Sequence, residues 1–183
     1  RQEFMQQVLK EIFGETRYQL LSRSARMDFL FQQLGKTLNR VSWALHEQSQ
    51  KTKLSPVQTE VLFGQVAAKK GIKGLELDLA SGGKLHVRGK IDRIDQVDVD
   101  QKTYLSVVDY KSSKKEFDPT EVYYGLAMQL VTYLDVVLQD AAQLVGKREV
   151  QPAGAYYVKM QDPLISGSTA KEKRESERLK AYK

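Results

Sequence analysis

Apolar residues recur at helical spacing over the first quarter of the chain. Gly14 is expected to separate a first helix from a second, and Ser24 to cap the second one. A turn is expected at Ser55–Pro56. The pattern therefore predicts two helices before about residue 50. The apolar positions that carry it are Phe4, Val8, Ile12, Met27, Leu30, Phe31, Leu34, Leu38, Val41 and Leu45.

Alternation of apolar and polar residues predicts three strands in the middle of the chain. Every second residue from 75 to 79 is leucine, which predicts a strand over residues 74–80. Residues 81–83 (Ser-Gly-Gly) are expected to form a hairpin turn, and residues 85–92 the second strand. Residues 104–111 are predicted as the third strand. Residues 60–63 fit either a short strand or a turn.

A helix and one more strand are predicted in the second half of the chain. Asp118–Pro119 is expected to open a helix that runs to about Leu144, because proline suits the first helical turn. Residues 153–160 are predicted as the last strand. This order of elements predicts an α/β domain with a mixed central sheet flanked by helices. The expected parts are an N-terminal helical segment packing on the core (1–54), the core (55–165) and a charged C-terminal tail (166–183).

Composition and charge narrow the function classes. The chain has 183 residues and no cysteine, which excludes disulfides and thiolate metal sites in this segment and is compatible with the cytoplasmic location that we expect. The histidines, His46 and His86, are far apart in sequence, which disfavours a zinc site built mainly of histidine. No apolar run reaches about 18 residues, so no membrane span is expected. The net charge of +6 suits a polyanionic partner such as nucleic acid.

Candidate chemistry begins with Asp109-Tyr110-Lys111 in the third predicted strand. Side chains two apart share a face of a strand, so Asp109 and Lys111 are expected to point the same way and Tyr110 the other way. The carboxylate can hold a hard cation, and the ammonium can stabilise developing phosphate charge. An ordinary ion pair on one strand face is the alternative.

Asp92 adds a second carboxylate on the neighbouring predicted strand. If it converges with Asp109, the two acids repel each other unless a cation lies between them. Mg²⁺ fits such a site because it takes oxygen ligands and keeps several waters, and Mn²⁺ can substitute for it. The backbone carbonyl of Tyr110 is a candidate third ligand. Two unrelated acids of one hairpin remain the alternative.

Other polar residues around these strands have mostly structural interpretations. Asp98 and Asp100 are expected to be solvated turn residues, and Asp95 can be held by Arg93 or by a backbone amide. On the following helix, Gln129 and Tyr133 are four residues apart and share a face. They either form a structural pair or contact the site or DNA.

Three ordered motifs resemble those of RecB-type nucleases in the PD-(D/E)xK superfamily, and within them the C-terminal nuclease domain of the AddB/RexB family. They are residues 89–95 (GKIDRID), 108–113 (VDYKSS) and 129–133 (QLVTY). Residues 60–64, 123–126, 154–158 and the Asp162–Pro163 pair are also similar to that family. The resemblance covers about residues 55–165, and the ordered set is far more specific than a lone DxK.

The resemblance implies a PD-(D/E)xK nuclease core and a magnesium site of Asp92, Asp109 and the Tyr110 carbonyl, with Lys111 catalytic. It implies that Gln129 and Tyr133 orient the site or touch DNA. The expected activity is Mg²⁺-dependent exonuclease cleavage of DNA in double-strand break repair and recombination. The expected partner of the parent protein is an AddA/RexA-like helicase-nuclease subunit.

Two departures from the family pattern affect these expectations. AddB proteins often carry four cysteines for an iron–sulfur cluster, and this segment has none. Family members also have a metal-binding histidine on an upstream helix, whereas His46 lies too close to the first strand and is interpreted as a surface or packing residue. His86 is interpreted as structural or near the DNA path. The chain begins with Arg1, so we expect it to be a fragment that lacks this histidine and cleaves poorly alone.

Two other functions fit the same sequence. One is a DNA-binding or scaffolding module that keeps the fold without cleaving, against which the presence of Asp92, Asp109 and Lys111 argues. The other is a stand-alone RecB-type exonuclease with no helicase partner. Lys114 and Lys115, just after the DYK motif, could hold a phosphate backbone or belong to a solvated loop.

Overall fold

The computed structural model of the protein describes residues 2–14, 24–65, 71–113, 117–147 and 149–160. They form two units, one of residues 1–51 with 159–183 and the other of residues 52–158. In chain order the elements are α1 (Gln2–Gly14), α2 (Ala25–Ser49), β1 (Ser55–Phe63), β2 (Leu75–Asp78), β3 (Lys84–Val87), β4 (Gly89–Val99), β5 (Lys102–Lys111), α3 (Pro119–Tyr123), α4 (Gln129–Gln139), α5 (Ala141–Val145) and β6 (Val150–Lys159).

The first unit contains the two helices that the apolar spacing predicts. Gly14 is the last residue of α1, and Ser24 caps α2 by accepting a hydrogen bond from the Met27 amide at 3.3 Å. Val41 and Ala44 of α2 are buried in a small apolar cluster. None of the helices in the described ranges combines the length and apolar content that a membrane crossing requires.

The second unit is built on a four-stranded sheet in the order β1-β4-β5-β6, with a separate β2–β3 hairpin. β4 is antiparallel to both β1 and β5. The central sheet is mixed and flanked by helices, so the predicted α/β fold is confirmed. Its core joins sheet residues to α4 and α5, and includes Val61, Phe63, Ile72, Ile91, Ile94, Leu105, Val107, Leu130, Val136, Val137, Ala141 and Leu144.

The predicted strand over residues 85–92 is divided at Arg88. The chain leaves its β2 partner after Val87 and takes β1 as its partner from Gly89. Gly89 is required here, because a Cβ at this position would lie 2.8 Å from two ring carbons of Phe63. The alternation continues through the division, so it gives no sign that the strand changes sheet.

The predicted turn at Ser55–Pro56 is wrong, because both residues pair with β4. Proline is tolerated there because β1 is an edge strand, and the register shifts directly after it, between Pro56 and Gln58. The ambiguous segment 60–63 is the end of this nine-residue strand.

The predicted single helix from Asp118 to Leu144 is also wrong, since α3, α4 and α5 replace it. Gly125 adopts a φ of +74° after α3, a conformation that favours glycine, and the Leu126 amide donates to the Glu121 carbonyl at 2.7 Å. Leu126 continues the apolar pattern but is 78% exposed. The break leaves Gln129 as the first residue of α4, facing the sheet.

Candidate functional site

The site lies where β4 and β5 end their regular pairing. Their register runs from Val99–Lys102 to Arg93–Val108, and one further step would set Asp92 opposite Asp109. Instead of a ladder bond, the Asp92 carboxylate accepts a hydrogen bond from the Tyr110 amide at 2.9 Å. The two acids of the motifs are therefore tied to the same stretch of β5, as the hairpin spacing predicts.

Asp109, Lys111 and Gln129 form a closed network on one face of the sheet. The Lys111 ammonium lies 2.5 Å from Asp109 Oδ2 and donates to Gln129 Oε1 at 2.9 Å. Gln129 Nε2 donates to Asp109 Oδ1 at 3.1 Å. The Asp109 side chain is 5% exposed and that of Lys111 20%. Gln129 thus bridges the two residues of the DYK motif.

Tyr133 supports Gln129 from one helical turn further on. Gln129 Nε2 also donates to the Tyr133 hydroxyl at 2.9 Å, so the predicted pair exists and contacts the site. The Tyr133 ring packs edge-on against Phe63 at 5.6 Å between centroids. A Cβ on Gly89 would lie 3.7 Å from this ring, so the small residue lets β4, β1 and α4 converge.

Tyr157 is a neighbour of the site that the sequence patterns did not single out. The Lys111 ammonium lies 5.4 Å from its ring centroid, a cation–π distance. Burial raises the pKa of the Tyr157 hydroxyl, and the nearby Lys111 charge opposes that shift. The only signal in the sequence was the place of Tyr157 in a family-like strand, because β6 reaches β5 through a long crossover that no local pattern encodes.

One oxygen of the site has bonding capacity left. Asp109 Oδ2 is buried and accepts no hydrogen bond of acceptable geometry among the described residues, although the Lys111 charge is adjacent. Asp92 and Asp109 supply hard oxygen donors, which fit a divalent cation that keeps several waters. Within the described part of the chain, no three His, Cys, Asp or Glu side chains converge as ligands.

Glu60 borders the site on β1. The register pairs Thr59 with Arg93 and Val61 with Ile91, which sets Glu60 across from Asp92. Its φ of +56° is unusual for a residue with a side chain and marks local strain. Glu60 forms an ion pair with Lys90, and this contact raises the lysine pKa.

On the other face of the sheet, Arg93 holds Asp95 and reaches Tyr110. Arg93 Nε and Nη2 each donate to one Asp95 oxygen at 2.6 Å, and Nη1 donates to the Tyr110 hydroxyl at 3.1 Å. Asp95 is 3% exposed, and its hydrogen bond raises the pKa of the Arg93 guanidinium. The structural interpretation of Asp95 is therefore the one observed.

The remaining predicted residues lie away from the network or outside the described ranges. Asp98 and Asp100 are exposed near the β4–β5 turn, and His46 is exposed on α2. His86 Nδ1 lies 3.3 Å from a Glu76 oxygen within the β2–β3 hairpin. Outside the described residues are Lys114, Lys115, Asp162–Pro163 and the tail 166–183.

The chain belongs to the PD-(D/E)XK nuclease superfamily, which it matches over residues 1–182, and it is therefore a nuclease domain. Nucleases of this superfamily generally depend on a divalent metal.

Curated relatives are named as one of the subunits of an ATP-dependent helicase/deoxyribonuclease. The protein of Enterococcus faecalis is 54% identical over 177 residues, which is 97% of this chain. Those of Latilactobacillus sakei and Lysinibacillus sphaericus are 46% and 35% identical over 90% and 99% of it. The chain spans only 15%, 14% and 16% of their respective lengths.

Proposed function

We propose that this chain is the DNA exonuclease domain of a helicase-nuclease subunit similar to AddB/RexB, and that it hydrolyses phosphodiesters at Asp92, Asp109 and Lys111. The observation that carries the proposal is the network in which Gln129 bridges Asp109 and Lys111 next to the anchored Asp92. An isolated ion pair on a strand would not need a glutamine that bonds both partners.

In this proposal Asp92, Asp109 and the Tyr110 carbonyl hold Mg²⁺, with Mn²⁺ as a substitute. When bound, the ion polarises the phosphate and lowers the pKa of a coordinated water. The unfilled Asp109 Oδ2 supports this assignment, because a buried carboxylate oxygen without a hydrogen bond is costly unless a cation satisfies it.

Lys111 is assigned to stabilise the negative charge that develops on the phosphate. Its ammonium is held between Asp109 and Gln129, so it is oriented before substrate arrives. Gln129 and Tyr133 are assigned to keep both Asp109 and Lys111 in place.

The organisation and partners follow from the relatives' names and the basic charge. We assign residues 55–165 to the nuclease core, 1–54 to a helical segment and 166–183 to a charged tail. We assign linear DNA in break repair and recombination as the substrate and an AddA/RexA-like subunit as the partner, in the cytoplasm. The relatives are named as subunits of an ATP-dependent helicase/deoxyribonuclease, and a net charge of +6 suits DNA.

The test is digestion of end-labelled linear DNA by the full-length protein with its partner subunit. Cleavage that requires Mg²⁺ or Mn²⁺ and disappears in Asp92→Asn supports the proposal. Metal-independent cleavage, or full activity of that variant, would refute the assigned site. DNA binding without cleavage by the unaltered protein would instead favour the non-cleaving scaffold.

A further inference from the structure

We propose that Arg93 and Asp95 are positioning residues that act on the active site through the sheet, by fixing Tyr110. This inference rests on the proposed function, because it concerns the same metal-binding segment. The residues lie on the face of the sheet opposite to Asp92, Asp109 and Lys111. They therefore touch neither substrate nor metal, and their effect must pass through the backbone of β5.

The contact between Arg93 and Tyr110 is specific. Two nitrogens of the guanidinium bind the Asp95 carboxylate side by side, which fixes its plane. With the plane fixed in this way, Nη1 is directed at the Tyr110 hydroxyl, at 3.1 Å. Asp95 is buried, so the fork cannot swing away without leaving a buried charge unpaired. Tyr110 is thus held by a side chain that is itself rigidly held.

Tyr110 is the residue through which the two faces communicate. Its amide donates to Asp92 Oδ2 at 2.9 Å, its carbonyl is the proposed third ligand, and its neighbours are Asp109 and Lys111. The regular β4–β5 register extends only to Arg93–Val108, so at Tyr110 the Asp92 carboxylate takes the place of a ladder acceptor. A side-chain anchor on the far face limits rotation of this peptide plane.

A purely local role for the arginine would not need this third bond. Asp95 is satisfied by two of its nitrogens, and the nearest cross-strand hydroxyl is Ser106, which pairs with Asp95 in the register. Ser106 Oγ is buried and has no hydrogen-bond partner among the described residues. The spare donor goes to Tyr110, beside the active-site acids, and leaves that closer hydroxyl unused.

The test compares Tyr110→Phe, Arg93→Lys and the double variant in the full-length protein. Tyr110→Phe keeps the ring and removes only the hydroxyl, while lysine keeps the charge but cannot hold Asp95 and Tyr110 together. Mn²⁺ binding without DNA is measured by calorimetry, with Asp109→Asn as the blank. Ser106→Ala, a change in the same buried patch that leaves Tyr110 untouched, is the matched control.

Each single variant should weaken Mn²⁺ binding roughly three- to tenfold, because part of the free energy of one hydrogen bond is transmitted to the site. DNA affinity and Ser106→Ala should match the unaltered protein. The double variant should be no weaker than Arg93→Lys, since both remove one interaction. Unchanged Mn²⁺ affinity in Tyr110→Phe, or additive losses, would overturn the inference, even where unfolding temperatures fall.

The same measurements separate this inference from the proposed function. If the unaltered protein binds Mn²⁺ at Asp109 but does not cleave DNA, the proposed activity fails while the positioning role is still tested by calorimetry. If it cleaves normally and Tyr110→Phe binds Mn²⁺ as tightly as before, only the positioning role fails.

Discussion

An aspartate and a lysine meet at each end of the β4–β5 hairpin. At the turn end, Asp98 accepts hydrogen bonds from Lys147 at 2.7 Å and from Thr103, and the two charged side chains are 54% and 45% exposed. At the open end, Asp109 meets Lys111 at 2.5 Å with side chains only 5% and 20% exposed. The same two residue types therefore stand in opposite environments on the same pair of strands.

The two ends also differ in what their oxygens still lack. Both Asp98 oxygens accept hydrogen bonds, the second one from Gln96. Asp109 Oδ2 accepts none of acceptable geometry among the described residues, although it is buried. An exposed ion pair contributes little to stability, whereas a buried carboxylate with a free oxygen can bind a cation. Burial and unfilled bonding capacity, more than acid–lysine proximity, distinguish the candidate site from a surface pair.

The largest expected effect contrasts the two aspartates. Asp109→Asn should reduce metal-dependent DNA cleavage by roughly a thousandfold or more, because a bound metal contributes several kcal/mol to charge stabilisation. Asp98→Asn should stay within about twofold, since its partners lie at the turn and outside the network. Digestion of linear DNA measures both, and circular dichroism confirms folding. Equal losses in the two variants would erase the distinction between the two ends.

The two lysines give the next contrast. Lys111→Ala should slow cleavage roughly a hundred- to a thousandfold, the loss seen when one preorganised charge-stabilising group is removed. Its metal and DNA affinities should change little. Lys147→Ala should cleave normally. Single-turnover rates together with metal and DNA titrations separate binding from chemistry, and a normal rate for Lys111→Ala would reduce Lys111 to an ion-pair partner.

Two glutamines of α4 sharpen the role of the network. Gln129→Ala should lower cleavage roughly ten- to a hundredfold, as is typical when a residue that orients a metal ligand is lost. Gln139, which donates to Asp135 at 3.0 Å on the exposed end of the helix, is the matched control and should tolerate alanine. Cleavage rates that are equal in the two variants would mean that bridging Asp109 and Lys111 has no catalytic value.

Local patterns were enough to predict the parts of the site that lie close in sequence. Period-two alternation put Asp109 and Lys111 on one face, and the hairpin spacing brought Asp92 beside them. Helical spacing likewise paired Gln129 with Tyr133. These relations depend on backbone periodicity alone, so distant packing does not alter them.

Contacts between distant elements could not be read in the same way. Nothing local distinguishes Tyr157 from other strand aromatics, because its contact with Lys111 depends on how β6 joins the sheet. The helix break was missed because Leu126 and Met128 extend the apolar pattern although they are exposed. The bond that links Arg93 with Tyr110 joins two strands diagonally, and the sequence indicated only its pairing with Asp95.

The smallest expected effect concerns the pH dependence of the turn-end pair. Hydrogen bonds from Lys147, and then from Thr103, lower the pKa of Asp98 below its ordinary value of 3.8. The folded state therefore favours the ionised form, so the stabilisation is complete above the ordinary pKa and is lost as the pH falls through the lowered one. The difference in urea midpoint between the unaltered protein and Asp98→Asn should be small at pH 7, shrink with added salt because the pair is exposed, and approach zero below pH 3.8. A difference that persists or grows in acid would show that Asp98 stabilises the turn by geometry rather than by charge.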